Sequence, residues 1–284
     1  MDQNVSGKFS QTPASDEIRR FIKVYSLPEL KMSRLAAAIL LGAASSLTRA
    51  APEEIQVYMD EMNAPGEFGL DIHNNYVFSG SKVPDYPGAQ PPGHVLRVTP
   101  ELSYGMTSNL ELGAYVLASR DSNGNSAIDG HKVRLKYIAP KYPDQDYFLG
   151  ANLEIGRVAH RINENPWNGE LKGIFGYRSD RWTFAFNPNI DWKIAGPVSS
   201  PTTFEMDSKI CYKTDHDYKV GIESYNEFGE IRNMGHLNQQ SQTLYGVIDA
   251  SIQGWDLNVG LGRGLSSVSD RLLLKVIVSV PIGK

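Results

Sequence analysis

A single cysteine, Cys211, among 284 residues rules out an intramolecular disulfide and any zinc site built on paired cysteines. A small side chain lying in a strand accounts for it. Long apolar runs are also missing. The longest, Leu35–Ser46, has 12 residues, whereas a helix needs about 20 to span a bilayer. The six histidines (His73, His94, His131, His160, His216 and His236) form no HExxH string and no paired metal spacing, so neither a metal site nor a cofactor is expected. A basic excess is lacking too. The formal charge is −4 overall and +3 over residues 1–50, leaving −7 for the rest, which speaks against nucleic acid as a partner. No ATP-binding motif is present.

What the chain does have is aromatic residues, 14 Tyr, 10 Phe and 4 Trp, in a sequence whose mean hydropathy is only −0.33. A β-barrel with a wet lumen has this average, because only every second residue of a strand must be apolar.

The stretch from Met32 to Ala50 reads as a secretory signal peptide. Lys31 and Arg34 are basic, the core is apolar or small, and Thr48-Arg49-Ala50 offers small residues where a signal peptidase reads, so cleavage is expected after Ala50. Residues 1–31 precede this second methionine as a polar extension; translation is expected to start at Met32, the alternative being an unusually long n-region, and the segment carries no functional expectation. Residues 51–65 follow as a leader in which Glu53, Glu54, Asp60 and Glu61 interleave with Ile55, Val57, Tyr58 and Met59. It could sit in the periplasm, thread the lumen as a small plug, dock a periplasmic partner, or cover the barrel mouth.

From residue 66 the dominant signal is strict period-two alternation in runs of nine to thirteen residues, the length a tilted strand needs to cross a bilayer. In 182–194, Trp182, Phe184, Phe186, Ile190, Trp192 and Ile194 oppose Thr183, Asn187, Asn189, Asp191 and Lys193. Strands are predicted at 67–78, 94–104, 110–120, 130–139, 147–158, 167–177, 182–194, 203–213, 218–228, 241–250, 255–264 and 271–282. Short polar turns at 106–109, 178–181 and 214–217 alternate with longer links at 79–93, 121–129, 159–166, 195–202, 229–240 and 265–270. That asymmetry predicts an all-β, transmembrane antiparallel up-and-down barrel of about 12 strands, with the turns on the periplasmic rim.

Tyr104, Tyr137, Tyr147, Tyr177, Trp182, Tyr212, Tyr218 and Trp255 flank the short turns, as a girdle at the lipid–water boundary requires. A soluble sandwich or an interior-filled barrel would also alternate, but neither explains that girdle or an export signal.

The wet faces bring charges of both signs into the expected lumen: Asp71, Arg97, Glu101, Glu111, Lys132, Arg134, Lys136, Glu154, Glu170, Lys172, Asp191, Lys193, Glu205, Asp207, Lys209, Lys219, Glu223, Asp256 and Lys275. Such charges either select solutes in an open channel or pair across strands and close it. The glycines of Gly260-Leu261-Gly262-Arg263-Gly264 fit the inner face of a strand better than a nucleotide loop, since no helix follows. Asp121-Ser122-Asn123-Gly124-Asn125 lacks the closing glutamate of a calcium loop and reads as a surface loop. His160 and His236 are the candidates if the barrel cuts lipids, but no GxSxG-like string accompanies them, so an enzyme is not expected.

The segment EEIQVYMDEMNAPGEFGLDIHNNYVFSG (53–80), together with VGIESYNEFG (220–229), resembles a group of proteobacterial outer-membrane barrels that includes barrels associated with the phenol meta-cleavage pathway. The resemblance implies a transporter-like or pore-like barrel in the outer membrane of a Gram-negative bacterium. It carries over no functional residue. Expected partners are outer-membrane lipid, the barrel-assembly machinery and a small solute, aromatic or hydrophobic compounds among the candidates. The expected function is passive passage of small solutes. A closed structural or surface-interaction barrel and a lipid-modifying enzyme are the alternatives.

Overall fold

The computed structural model of the chain describes residues 54–216 and 218–282. The expected signal peptide, its cleavage point and the N-terminal extension lie outside them.

Twelve long strands form the wall: β1 (Phe68–Ser79), β2 (Leu96–Gly105), β3 (Leu110–Arg120), β4 (Ser126–Ile138), β5 (Tyr147–Val158), β6 (Trp167–Arg178), β7 (Trp182–Ala195), β8 (Thr203–Lys213), β9 (Tyr218–Glu230), β11 (Ser241–Ile252), β12 (Trp255–Gly264) and β13 (Leu272–Ile282). A two-residue strand, β10 (Asn233–Met234), folds back on Glu230 and Gly229, and a single 3₁₀ turn spans Leu237–Gln239. Each long strand pairs antiparallel with its sequence neighbour. β13 pairs with β1 from Phe68↔Ile282 onward, so the sheet closes on itself. Closure matters because in hydrocarbon every backbone N–H and C=O must find a partner, and only a sheet without edges provides one.

Alternation sets which side each residue faces. In β3, Glu111, Gly113, Tyr115, Leu117 and Ser119 are buried, whereas Leu112, Ala114 and Val116 between them are exposed. The apolar set faces outward. That inverts the pattern of a water-soluble protein, and it is what acyl chains outside the wall demand.

The observed strands follow the predicted ones closely. The largest departure is β4, which begins at Ser126 rather than 130 and shortens the link from β3 to Asp121–Asn125. There Asp121 Oδ1 accepts from the backbone N–H groups of Asn123 (2.9 Å) and Asn125 (2.8 Å), so the carboxylate closes its own turn. On the opposite rim Ala139–Asp146, eight residues with no strand, is longer than the other turns there. Register shifts fall at Val77/Ser79, Leu117/Ala118, Trp167/Asn168 and Phe204/Glu205, all toward the long-loop rim. Bulges of this kind bend a barrel at its mouth.

Gly260 and Gly262 lie in β12, as the strand reading requires, and a Cβ at Gly262 would overlap the ring of Tyr245. Gly176 does the same for Phe148, whose ring lies directly against it. Cys211 is buried in β8 with its Sγ 3.6 Å from Asp249 Oδ2.

Candidate functional site: the lumen and its leader

Twelve strands about 4.8 Å apart and tilted by about 40° close at roughly 23 Å between opposing backbones; side chains reaching in about 5 Å from each side leave roughly 13 Å. That is room for one extended peptide, and one is there. Residues 54–63 of the leader run along the inner wall.

Tyr58 is the central anchor. Its N–H donates to Asn187 Oδ1 (2.6 Å) and its C=O accepts from Asn187 Nδ2 (3.0 Å), so one buried amide of β7 satisfies both backbone groups. The hydroxyl donates to Glu54 (2.5 Å), lies 2.8 Å from the Tyr115 hydroxyl and is 3.2 Å from Glu154. Around the ring stand Lys172, Lys136 and Arg134, 4.9, 5.5 and 5.7 Å from its centre. Val57 and Tyr58 pack with Ile138, Phe148, Ile174 and Ala185, an inward apolar patch that Met59 and Met62 extend.

The rest of the leader is tied by polar contacts. Asn63 donates from its backbone N–H to Glu111 (2.7 Å) and from its side chain to Ser103 (2.8 Å). Lys136 donates to Glu61 O (2.6 Å) and Lys275 to Ile55 O (3.2 Å). At the short-turn rim Arg178 bridges Asp60 (2.8 Å) and Glu61 (2.6 Å), and Lys141 pairs with Asp60. Losing part of its water to the crowded wall pushes the Glu61 carboxyl up, but the Arg178 guanidinium outweighs this and holds it below the ordinary carboxylate range.

The predicted lumen residues lie on the inner face, and many of them pair. Arg134 spans Glu101 (2.5 Å) and Glu111 (2.8 Å). Lys209 meets Glu223 (3.0 Å), its cross-strand neighbour, and Asp249 (2.8 Å), while Lys275 also pairs with Glu223. Lys172 lies 3.4 Å from Glu170 and 3.6 Å from Asp207, and Lys132 3.9 Å from Glu154. Arg97 and Glu205 are buried, and Asp71, Asp191, Lys193 and Lys219 are half-buried. Asp256 differs: it is exposed at the short-turn rim, where Ser251 donates to it.

Among the described residues the lumen keeps at least two cavities. One, of about 540 Å³, lies toward the short-turn rim and is lined by leader residues 56–59 and 61–63, with Arg134, Lys136, Lys209 and Lys275 facing Glu111, Glu223 and Asp249. The other, of about 100 Å³, lies toward the long loops between Lys132, Lys193 and the carboxylates of Glu154, Glu170, Asp191 and Glu205. These four acids sit on successive strands, where register puts Glu154 opposite Glu170 and Glu170 opposite Asp191. Above it, the link after β1 is fastened to the link after β5: Gln90 N–H donates to Arg161 O (2.9 Å) and Tyr86 OH to His160 O (2.8 Å).

Seven of the eight predicted girdle residues, Tyr104, Tyr137, Tyr147, Tyr177, Trp182, Tyr218 and Trp255, are exposed on the outer face, and Tyr212 is half-exposed. Tyr147 pairs across strands with Tyr177, and the rings of Trp182 and Tyr212 lie 5.0 Å apart. His160 Nε2 lies 3.1 Å from Pro87 O, and among the described residues neither it nor His236 shares a hydrogen bond with a serine hydroxyl.

Sequence reasoning missed the amide clamp of Asn187 and the inward patch of Phe148, Ile174 and Ala185. Phe148 was within reach: it alternates with the outward Tyr147 and Leu149, in a run where apolar residues fall on both faces.

Closed, twelve-stranded, greasy outside and charged within, the chain has the fold of an outer-membrane β-barrel of porin-like type. Solved structures bear this out. An outer-membrane channel from Pseudomonas putida F1 superposes with a TM-score of 0.56 at 13% identity, covering 81% of this chain and 100% of that one. The KdgM porin, solved with disordered oligogalacturonate, gives 0.52 at 12% identity, over 76% and 99% of the two chains. The NanC porin gives 0.51 at 13% identity, over 76% and 100%. At such identities the likeness is one of fold. No family model and no curated protein matches the sequence.

Proposed function

We propose that the chain is an outer-membrane channel for passive passage of small solutes, exported by a signal peptide cleaved after Ala50, and that its mature N-terminal segment constricts the lumen. The observation that carries this reading is how the leader is held. Its described residues 54–63 form no strand with the wall and are attached through side chains, so they can leave without breaking any rung of the barrel ladder.

An empty lumen roughly 13 Å across would pass small molecules. Its two faces of mixed charge and its apolar patch of Phe148, Ile174 and Ala185 suit solutes that join a polar group to an aromatic or other hydrophobic body. The resemblance of residues 53–80 and 220–229 to barrels associated with phenol degradation supports aromatic compounds among them. The four carboxylates of the outer cavity favour cations over anions. The girdle tyrosines and tryptophans set the depth of the wall in the bilayer.

The alternative is a permanently blocked barrel, favoured by the dense ion pairing of the inner wall. Planar-bilayer recording separates the two. The mature protein is expected to give small or infrequent steps, and a variant lacking residues 54–63 larger, steady ones with a cation preference. Silence from both, with the barrel folded, would leave the blocked reading.

A further inference from the structure

The inner wall holds one imidazole with nothing to bond to. His73, on β1, is completely buried, and among the described residues neither ring nitrogen has a hydrogen-bond partner. Leaving a buried polar group unpaired is costly, so such a group calls for an explanation. Beside it on β2 is Glu101. Oε1 of that carboxylate is taken by Arg134, but Oε2 has no hydrogen bond and faces His73 Nε2 across 3.6 Å. The leader adds a third donor, Glu54, whose Oε1 accepts from Tyr58 OH at 2.5 Å. One donor atom from each of the three lies within 4.8 Å of the others.

We propose that Glu54, His73 and Glu101 form a binding site for a divalent transition-metal cation of the zinc type, joining the leader to the wall. In a tetrahedral zinc site with bonds of about 2.1 Å the ligand atoms stand roughly 3.4 Å apart. The His73–Glu101 separation is already close to that, and Glu54, on the chain segment least tied to the sheet, has the freedom to close the remaining gap. One nitrogen and two carboxylate oxygens suit zinc and its neighbours in the first transition row. Calcium and magnesium, which need six or more oxygens, are poorly matched. Arg134 on Glu101 and Tyr58 on Glu54 orient the two carboxylates, as outer partners do around protein-bound metals. The fourth position is left for water or for a donor atom of a passing solute.

A protonated His73 would satisfy Glu101 alone. It would leave Glu54 as a second carboxylate within a few ångströms of the first, and a bound dication neutralises both. The site depends on where the leader lies, not on whether the lumen conducts, so the two proposals fail separately.

The test uses the full mature barrel, stripped with a chelator in detergent and titrated with Zn²⁺ against a chromophoric competitor. One tight site per chain is expected. Glu54→Gln, outside the wall, should weaken it by at least about tenfold while the barrel keeps its heat-modifiable mobility on a gel. His73→Gln should do the same, and the double change His216→Ala with His236→Ala should leave it intact. Zn²⁺ should also slow proteolysis of the leader in the wild type and not in Glu54→Gln. Absence of a tight site in the wild type, or unaltered affinity in Glu54→Gln, would overturn the proposal and leave an imidazolium–carboxylate pair in its place.

Discussion

Replacing Tyr58 by alanine should release the leader without harming the wall. The side chain is only 3% exposed, its ring packs on the Phe148–Ile174 patch, and its hydroxyl connects Glu54, Tyr115 and Glu154. Truncating a buried aromatic to alanine costs about 3–5 kcal/mol. None of this stabilises a strand pairing, so the loss falls on docking of the leader rather than on the barrel. At about 1.4 kcal/mol per factor of ten, the ratio of docked to released leader should drop by roughly two to three and a half powers of ten. Cleavage by a glutamate-specific protease at Glu61 reads that ratio directly, because when opening is fast the rate follows the open population. The variant should be cut at least about a hundredfold faster than wild type, and Tyr58→Phe, which loses only the hydroxyl contacts, roughly tenfold faster. A rate within about threefold of wild type in a folded Tyr58→Ala barrel would show that the leader is held elsewhere and refute the reasoning.

Two further outcomes follow from the wall itself. Arg134→Met strips the cation from two buried carboxylates, Glu101 and Glu111, and should lower barrel stability by about 3–5 kcal/mol, read as an earlier loss of the compact gel band in denaturant. Arginine placed at the outward Leu153, midway along β5, should cost about 2–4 kcal/mol in lipid, whereas arginine at Trp182, beside a turn, should cost about 0–1. Equal costs in refolding titrations into vesicles would place the bilayer elsewhere on the barrel.

The wall was legible because each strand carries its own instructions. Trp182 to Ile194 needs no distant partner to show which side meets lipid, and the tyrosines beside the turns repeat the message at one level. The largest difference at a strand end, at the start of β4, falls where alternation blurs, in Ser126-Ala127-Ile128, and a shifted register at Leu117/Ala118 lies just opposite. The leader was illegible for the converse reason. Residues 54–63 have no period of their own, and their partners Asn187, Glu111 and Lys275 are brought to them only by closure of the sheet. The donors Glu54, His73 and Glu101 are likewise separated in the chain by 19 and 28 residues. No spacing rule joins them; the diagonal of the β1–β2 register sets His73 beside Glu101, and the leader brings Glu54 to both.

The pairing of Phe68 with Ile282 means that the first and last staves stand side by side. A chain whose old ends were spliced together there, and which was reopened within one of the long outer links, would keep all twelve staves in their places. The stretch that precedes Phe68 would then be dispensable or could be supplied as a free peptide, making the stopper a separate reagent whose sequence is varied at will against an unchanged cask.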